Sequence, residues 1–372
     1  MQVKIPVHRP YIGKEELNAV AKVFDSRWLG LGSITRKFEE MLREFIGVKH
    51  VIAVSSGSSA LHLTLASLSL KSDDEVIVPA LTYVSSVQAI VTAGARPVFC
   101  EVKEDTLNID ISDAFNKVTT KTKAILPVHY GGLACSMDEL LKKAREYSLW
   151  VVEDAAQAFG STYKGQKVGT LSDVTCFSFD PIKNITCGDG GAIVTDNDEF
   201  ARKIKPMHNV GIDENSRYRK NNERDWFYSV ISTGYRYYLS NLNAAIGIEQ
   251  FKKFYAFKER KQSIVRYYDE KLREIEGVVI PTHNWNETFP FSYVIRVLNK
   301  KRDVLMNYLK EKGVGTTVQF TPNHLQPAFA DFHLPLPITE KLYEEILTLP
   351  LYFEMTDDDV ETVIDAVRSF FY

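Results

Sequence analysis

The sequence lacks the features that mark membrane, secreted and nucleic-acid-binding proteins. It has no N-terminal signal-peptide pattern, and no apolar run approaches the roughly 20 residues that span a membrane. The 372 residues carry a formal net charge of −3, without the basic excess of a dedicated nucleic-acid surface. We therefore predict a soluble, cytoplasmic protein that binds neither nucleic acid nor membrane.

Cysteine is also scarce. The four cysteines, Cys100, Cys135, Cys176 and Cys187, form no C-x-x-C pair. Three of them lie within or beside apolar, strand-like runs, where a cysteine behaves as a small hydrophobic residue in a reducing compartment. We predict no metal site.

The first half of the chain alternates short β-branched runs with helical segments. The runs are Val51–Val54, Val76–Val78, Val98–Cys100, Ala124–Val128, Trp150–Glu153 and Val174–Phe179. Continuous apolar strands separated by helices predict a parallel sheet that is covered on both faces. A seventh strand, Gly191–Thr195, follows a short loop without a helix, so we predict that it is antiparallel. The fold class is α/β.

The last third of the chain predicts a smaller α+β unit. We expect one long helix from about 241 to 276, a half-buried strand over 291–297 and a second strand over 314–320. A final helix is expected to begin at Thr356, with acidic residues in its first turn. The length also favours two domains, which we place at residues 1–245 and 246–372.

One lysine stands out in the loop between the last two strands of the sheet. Lys183 has mostly apolar and small neighbours, and desolvation there would lower its pKa toward the free amine that attacks carbonyls. Ser178 lies at the end of the preceding strand, where its hydroxyl could bind an anion. An alternative interpretation is a surface loop with a solvated lysine.

Two further strand ends carry polar or aromatic residues. The turn Ser55–Ser59 places hydroxyls and free N–H groups at a helix N-terminus, which suits a phosphate, although ordinary serine capping also explains it. Tyr83 follows the next strand and offers a ring at the same edge, unless it simply packs against a helix.

A carboxylate ends a third strand. Asp154 follows a buried run, and a buried carboxylate needs a cationic partner or several hydrogen bonds. A protonated ring nitrogen would be such a partner, while capping of the following turn is the alternative. An anion cradle, an aromatic ring, an acid and a desolvated lysine at one sheet edge describe a pyridoxal 5′-phosphate site better than any other cofactor site. Lys183 would hold the aldehyde as a Schiff base, and Asp154 would keep the pyridine nitrogen protonated.

With these motifs in order along nearly the full chain, the sequence resembles the DegT/DnrJ/EryC1/StrS family of nucleotide-sugar aminotransferases, which have the fold type I architecture. The matching segments are Arg9-Pro10, Trp28-Leu29-Gly30, Ser56-Gly57-Ser58-Ser59-Ala60-Leu61, Glu75–Pro79, Thr82-Tyr83, Gly94–Val98, Glu153–Gln157, Phe177–Phe179, Lys183–Gly191, Gly234-Tyr235, Ala244–Gly247, Pro322 and His324.

The resemblance implies a role for each matching residue. Lys183 corresponds to the cofactor lysine, and Asp154 to the acid that pairs with the ring nitrogen. The phosphate binders are Ser58, Ser59 and Ser178, Tyr83 is the stacking ring, and Gln157 lies beside the phenolic oxygen of the cofactor. Trp28 and His324 are implied near the sugar nucleotide. Relatives that are dehydratases have histidine in place of the lysine, so Lys183 favours transamination.

The sequence also departs from the family pattern. The family loop G-Y-N-Y-R, whose asparagine reaches the cofactor phosphate of the neighbouring subunit, is here Gly234-Tyr235-Arg236-Tyr237-Tyr238. Arg236 could bind that phosphate bidentately. Asp189 replaces the usual glutamate, and Ser58 replaces a usual threonine.

The predicted activity is therefore transfer of an amino group from L-glutamate to a nucleotide-linked keto-sugar, by a homodimer with shared active sites that works in surface polysaccharide or glycoconjugate biosynthesis. Two alternatives stay open at this point: an aminotransferase for a keto-sugar without a nucleotide, and a non-catalytic regulatory protein with the same fold.

Overall fold

The structure, a computed structural model, describes residues 3–213 and 228–372. The strands of the described residues are β1 (His50–Val54), β2 (Glu75–Pro79), β3 (Arg96–Cys100), β4 (Thr122–Ile125), β5 (Trp150–Asp154), β6 (Thr162–Tyr163), β7 (Gln166–Lys167), β8 (Val174–Ser178), β9 (Gly191–Thr195), β10 (Ile212–Asp213), β11 (Ser229–Val230), β12 (Val278–Val279), β13 (Tyr293–Val297) and β14 (Ile346–Leu349).

The α-helices surround these strands. They are α1 (Lys14–Ser26), α2 (Ser33–Ile46), α3 (Gly57–Ser67), α4 (Val84–Thr92), α5 (Ile111–Asn116), α6 (Met137–Glu146), α7 (Asp198–Met207), α8 (Asn241–Lys252), α9 (Phe254–Leu272), α10 (Arg302–Glu311), α11 (Pro337–Glu345) and α12 (Asp357–Phe371). None of the helices in the described ranges is long and apolar enough to cross a bilayer.

The main sheet has seven strands in the order β1-β9-β8-β5-β4-β2-β3. Strand β9 is antiparallel to both neighbours, and the other pairs are parallel. The α/β prediction with one antiparallel strand is therefore confirmed. The pairing places Gly191 opposite both Val54 and Ser178, which brings the end of β1 beside the end of β8.

Both faces of this sheet are buried, as the apolar strands predicted. Ile52 packs on the side of α3, α4 and α7, while its neighbour Ala53 packs on the side of α2 and α8. Successive residues of a strand point to opposite faces, so alternate residues of each strand supply two separate cores.

The long helix predicted over 241–276 is interrupted. Helices α8 and α9 meet at Lys253, whose ammonium lies 2.7 Å from Glu16. The interruption lets α8 pack against α1 and α2 while α9 packs against α12. The domain boundary at 245/246 stays a prediction, and both residues lie within α8.

The smaller sheet contains β12, β13 and β14, all antiparallel. The predicted strand over 314–320 is wrong: pairing there is limited to single bridges at Val314 and Thr317, and β14 occupies the third position. The half-buried prediction for β13 is also wrong, because the whole strand is buried and Arg296 is neutralised by Glu345 at 2.7 Å. The predicted start of the last helix is correct, with Thr356 in a capping box.

Candidate active site

The serine turn forms the first wall of the site. Ser56 caps α3 by accepting a hydrogen bond from the Ser59 N–H at 3.0 Å. The Ser59 hydroxyl is buried and lies 2.9 Å from that of Ser55 and 2.8 Å from that of Ser56. Ser58 is exposed at the cavity, where its hydroxyl lies 2.6 Å from that of Ser85. Ser56 thus both caps the helix and lines the cavity, which Ser58 of the same turn also lines.

A close backbone approach joins this turn to the end of β8. A Cβ atom added to Gly57 would lie 2.7 Å from the Ser178 Cβ, so only glycine fits there. The contact sets the Ser178 side chain against the first turn of α3, whose N–H groups have no carbonyl partner within the helix. Partial positive charge at this helix end favours an anion beside the serine hydroxyls.

Asp154 supplies a buried carboxylate at the end of β5. Its oxygens accept hydrogen bonds from the Ser86 hydroxyl at 2.6 Å and from the Ala156 N–H at 3.1 Å. Burial raises the pKa of Asp154 from its ordinary value, and these two hydrogen bonds partly offset the effect. The carboxylate therefore caps the following turn and also faces the cavity.

Lys183 lies in the loop between β8 and β9. Its amine is 4.3 Å from the centre of the Phe291 ring, which comes from the segment before β13. Burial lowers the pKa of Lys183, and the carboxylates of Asp180 and Asp154 act in the opposite direction. The free amine is consequently available at a lower pH than for an exposed lysine.

These side chains line one cavity of about 410 Å³ at the carboxyl ends of the parallel strands. Six predicted site residues meet there: Ser58, Tyr83, Asp154, Gln157, Ser178 and Lys183. The Gln157 side chain is fixed by the Gly131 N–H, which donates to its Oε1 at 2.8 Å. The Tyr83 ring is 57% exposed and lies 5.6 Å from the ring of Phe320. Ser59 lies behind this wall.

Trp28 and Arg236 lie elsewhere, in a second cavity of about 490 Å³. Trp28 is 63% exposed, and its indole N–H donates to the Leu31 carbonyl at 2.7 Å. The Arg236 guanidinium donates to the Tyr238 hydroxyl at 2.8 and 3.1 Å. Within one chain these two residues line a cavity different from that of Lys183.

His324 is separate from both cavities. Its ring is buried, with Nε2 3.2 Å from the Glu340 carboxylate and the Phe99 ring nearby. Burial lowers its pKa. A contact of His324 with substrate stays a prediction.

Several residues of the site were not anticipated from the sequence. Ser86 holds Asp154, Phe291 covers Lys183, and Lys261 of α9 is buried close behind the same loop. A signal for Lys261 was available, because it occupies the apolar stripe of its helix between Phe257 and Ile264. A lysine in such a stripe either extends to solvent or has a buried role.

The chain matches a known protein family along nearly its whole length. The sequence model of the DegT/DnrJ/EryC1/StrS aminotransferase family matches residues 10–368. The chain is 41% identical to the uncharacterized protein MJ1066 of Methanocaldococcus jannaschii, over 98% of this chain and 97% of that one. It is 37% identical to the spore coat polysaccharide biosynthesis protein SpsC of Bacillus subtilis, over 98% and 96%.

Solved structures show the same similarity. The aminotransferase TlmJ of Streptoalloteichus hindustanus superposes with a TM-score of 0.92 at 34% identity, over 98% of both chains. The sugar aminotransferase CalS13 of Micromonospora echinospora gives 0.91 at 27%, over 98% and 99%. Helicobacter pylori PseC, an aminotransferase involved in the biosynthesis of pseudoaminic acid, gives 0.92 at 26%, over 99% of both.

Proposed function

The chain belongs to the DegT/DnrJ/EryC1/StrS aminotransferase family, and we propose that it transfers the amino group of L-glutamate to a nucleotide-linked keto-sugar with pyridoxal 5′-phosphate as cofactor. One observation carries the proposal: Lys183, Asp154 and the serine turn line a single cavity, in the arrangement that this cofactor needs. Relatives named for polysaccharide biosynthesis and for sugar amination support the sugar substrate.

The residues present fit the cofactor. The glycine contact between Gly57 and Ser178 leaves a cradle of hydroxyls and helix N–H groups suited to a phosphate. Asp154 is a buried acid without a cationic side chain bonded to it among the described residues, so a protonated ring nitrogen would complete its environment. Lys183 supplies the amine, and Gln157 lies on the same wall.

When bound, pyridoxal 5′-phosphate supplies an electron sink that makes the proton on the donor's α-carbon acidic. The side chains of this protein position reactive groups around that α-carbon. The Asp154 carboxylate would keep the ring nitrogen protonated. The Lys183 amine, once free, would take the proton from the α-carbon and return it to the cofactor carbon that carried the aldehyde, as a general base and then a general acid.

The charge of the cavity supports a homodimer with shared sites. Its described lining includes the carboxylates Asp154, Asp180 and Asp189, but Lys183 is the one cationic side chain. A phosphate and the carboxylates of glutamate need more positive charge than this. Arg36 and Arg236 line the second cavity of the same chain, so a partner subunit would be the source of such charge.

Exposed apolar residues support the same proposal. Ile12, Leu17 and Phe24 are 58–68% exposed along α1 and its approach. Ile12 and Leu17 line a groove that continues to Pro181 and Gly188 in the lysine loop. A second copy of this chain would cover this surface and bring its own arginines to the Lys183 cavity. We propose that the dimer works in the cytoplasm.

A substrate screen tests the proposed function. Purified protein with cofactor is incubated with glutamate and UDP-, dTDP-, GDP- or CDP-linked keto-sugars, and 2-oxoglutarate and the amino sugar are measured. Mass spectrometry and NMR identify the product and show whether C3 or C4 carries the new amine. We expect one nucleotide class to be used. Turnover of the free keto-sugar alone would favour the alternative without a nucleotide, and protein that binds cofactor but releases no 2-oxoglutarate would favour a regulatory role.

A further inference from the structure

A third, much smaller cavity is also lined by the Lys183 side chain. It measures about 30 Å³, and its polar lining includes His8, Arg9, Lys183, Asn184, Thr186 and Lys261. Among the described lining residues none carries a carboxylate. Three cationic side chains and a histidine thus converge on a space that holds no acidic side chain.

Lys261 is the most deeply buried of these cations, at 6% exposure. Its ammonium donates to the Asn184 Oδ1 at 2.8 Å and to the Phe291 carbonyl at 3.3 Å, and both acceptors are neutral. An ammonium has three donors, so one is left over. Within the part of the chain that the structure describes, Lys261 has no carboxylate within 4 Å. A buried charge without a counter-charge is costly.

The groups around Lys261 do not offset its positive charge. Burial, together with the charge of Lys183, lowers the pKa of Lys261 to about 7. Burial and both lysines lower the pKa of His8 to about 3, so its ring stays neutral. Arg9 is exposed at the edge of the cavity, with its guanidinium 5.2 Å from the centre of the Tyr352 ring. Gln250 also lines the cavity and donates a hydrogen bond to the carboxylate of Glu16. That carboxylate is already paired with the Lys253 ammonium at 2.7 Å.

We propose that this cavity is a binding site for one small inorganic anion of the halide class, which serves as the counter-ion of Lys261 behind the catalytic lysine. The volume agrees with this ligand. A water needs about 10–15 Å³, so a cavity of about 30 Å³ is large enough for one monatomic ion. The Lys261 ammonium is the donor that would face it, because the Thr186 hydroxyl already donates to the Phe179 carbonyl at 3.3 Å and the Asn184 amide to the Phe289 carbonyl at 3.1 Å.

The anion has a predictable effect on both amines. A negative charge beside Lys261 and Lys183 favours their charged forms, so it raises the pKa of each. Binding requires Lys261 to be protonated, and its pKa without the anion is about 7. The protonated fraction falls from roughly nine-tenths at pH 6 to one-tenth at pH 8, so apparent anion affinity should weaken about tenfold over that interval.

Bromide is the probe for a direct test, because its anomalous scattering locates it in a crystal. Crystals of the protein with cofactor are soaked in sodium bromide at pH 6. We expect an anomalous peak in the cavity between Lys261 and Thr186. A map with bromide only at other positions, or none, would overturn the proposal. This measurement is independent of amino-transfer activity, so it can fail while the proposed function holds.

A solution measurement with matched variants accompanies it. Melting temperature is recorded against sodium chloride, with sodium gluconate holding ionic strength constant, for the wild type, Lys261→Met and Lys258→Met. Lys258 is the control because it lies one turn away on α9, is half-buried and donates to the Gly160 carbonyl at 2.9 Å. A saturable rise is expected for the wild type and Lys258→Met, weaker at pH 8, and absent in Lys261→Met. The same response in all three proteins would contradict a site at Lys261.

Discussion

The two cavities that share Lys183 have opposite character. The large one at the strand ends is lined by the carboxylates Asp154, Asp180 and Asp189. The small one behind the loop is lined by Arg9 and Lys261, without a carboxylate among its described residues. The carboxylates of Asp180 and Asp154 favour the charged form of the Lys183 amine, whereas its burial favours the free form. The reactivity of Lys183 depends on both effects.

The largest loss of activity is expected from removing the Lys183 side chain, which lines both cavities. Lys183→Ala should fold normally and lose more than about 10⁴-fold in amino transfer, because both the cofactor anchor and the proton carrier are lost. Activity is measured with glutamate and the preferred sugar, with Lys258→Ala as a control for loss of a half-buried lysine. Retained turnover in Lys183→Ala would mean that another residue carries the chemistry.

A smaller loss of activity is expected from removing the charge of Asp154. Asp154→Asn keeps the shape of the side chain but removes the charge that holds a proton on the ring nitrogen. The rate of both half-reactions should fall on the order of 10²-fold, with the fold and part of the cofactor affinity retained. Single-turnover kinetics with glutamate and with the sugar measure the two halves. An unchanged rate would leave Asp154 as a structural cap of the turn at Ala156.

The next prediction concerns whether a partner subunit supplies positive charge to the large cavity. Arg236→Ala should weaken cofactor binding about tenfold or more and leave the dimer intact, because charge-assisted hydrogen bonds contribute about 1.5–3 kcal/mol. Cofactor titration and sedimentation measure the two properties.

Mixed dimers sharpen this test. When Lys183→Ala chains are combined with Arg236→Ala chains, a shared arrangement puts both lesions in one site and leaves the other site intact. Partial activity should then return. If heterodimers form and no activity appears, Arg236 serves its own subunit.

The smallest effect is a change in pH dependence. The Asp180 carboxylate raises the pKa of Lys183 against the lowering effect of burial. Asp180→Asn should therefore lower that pKa, so the free amine persists to lower pH and the acidic limb of the rate profile moves to lower pH. A profile of kcat against pH for the two proteins measures this. A shift in the opposite direction would show that Asp180 does not act on Lys183 through its charge.

Much of the fold could be predicted because local pattern and tertiary structure agree in the main sheet. Gly191–Thr195 has no room for a crossover helix, which made β9 antiparallel. The site residues at strand ends followed from the same reasoning, since parallel strands present their carboxyl ends at one edge. Agreement was poorer in the smaller sheet, where Val314–Phe320 has strand-forming residues but pairs only at single positions.

What could not be predicted depends on contacts between distant segments. The position of Phe291 over Lys183 and that of Lys261 behind it arise from packing of the β13 segment and α9 against the loop. No local spacing encodes these distances.

The most direct test of the account maps where the cofactor attaches. Purified protein is incubated with pyridoxal 5′-phosphate, reduced with borohydride, digested and analysed by mass spectrometry. Two buried amines, those of Lys183 and Lys261, lie close together, and the account predicts that the pyridoxyl label is found on Lys183 and not on Lys261. A label on Lys261 with Lys183 unmodified would contradict it.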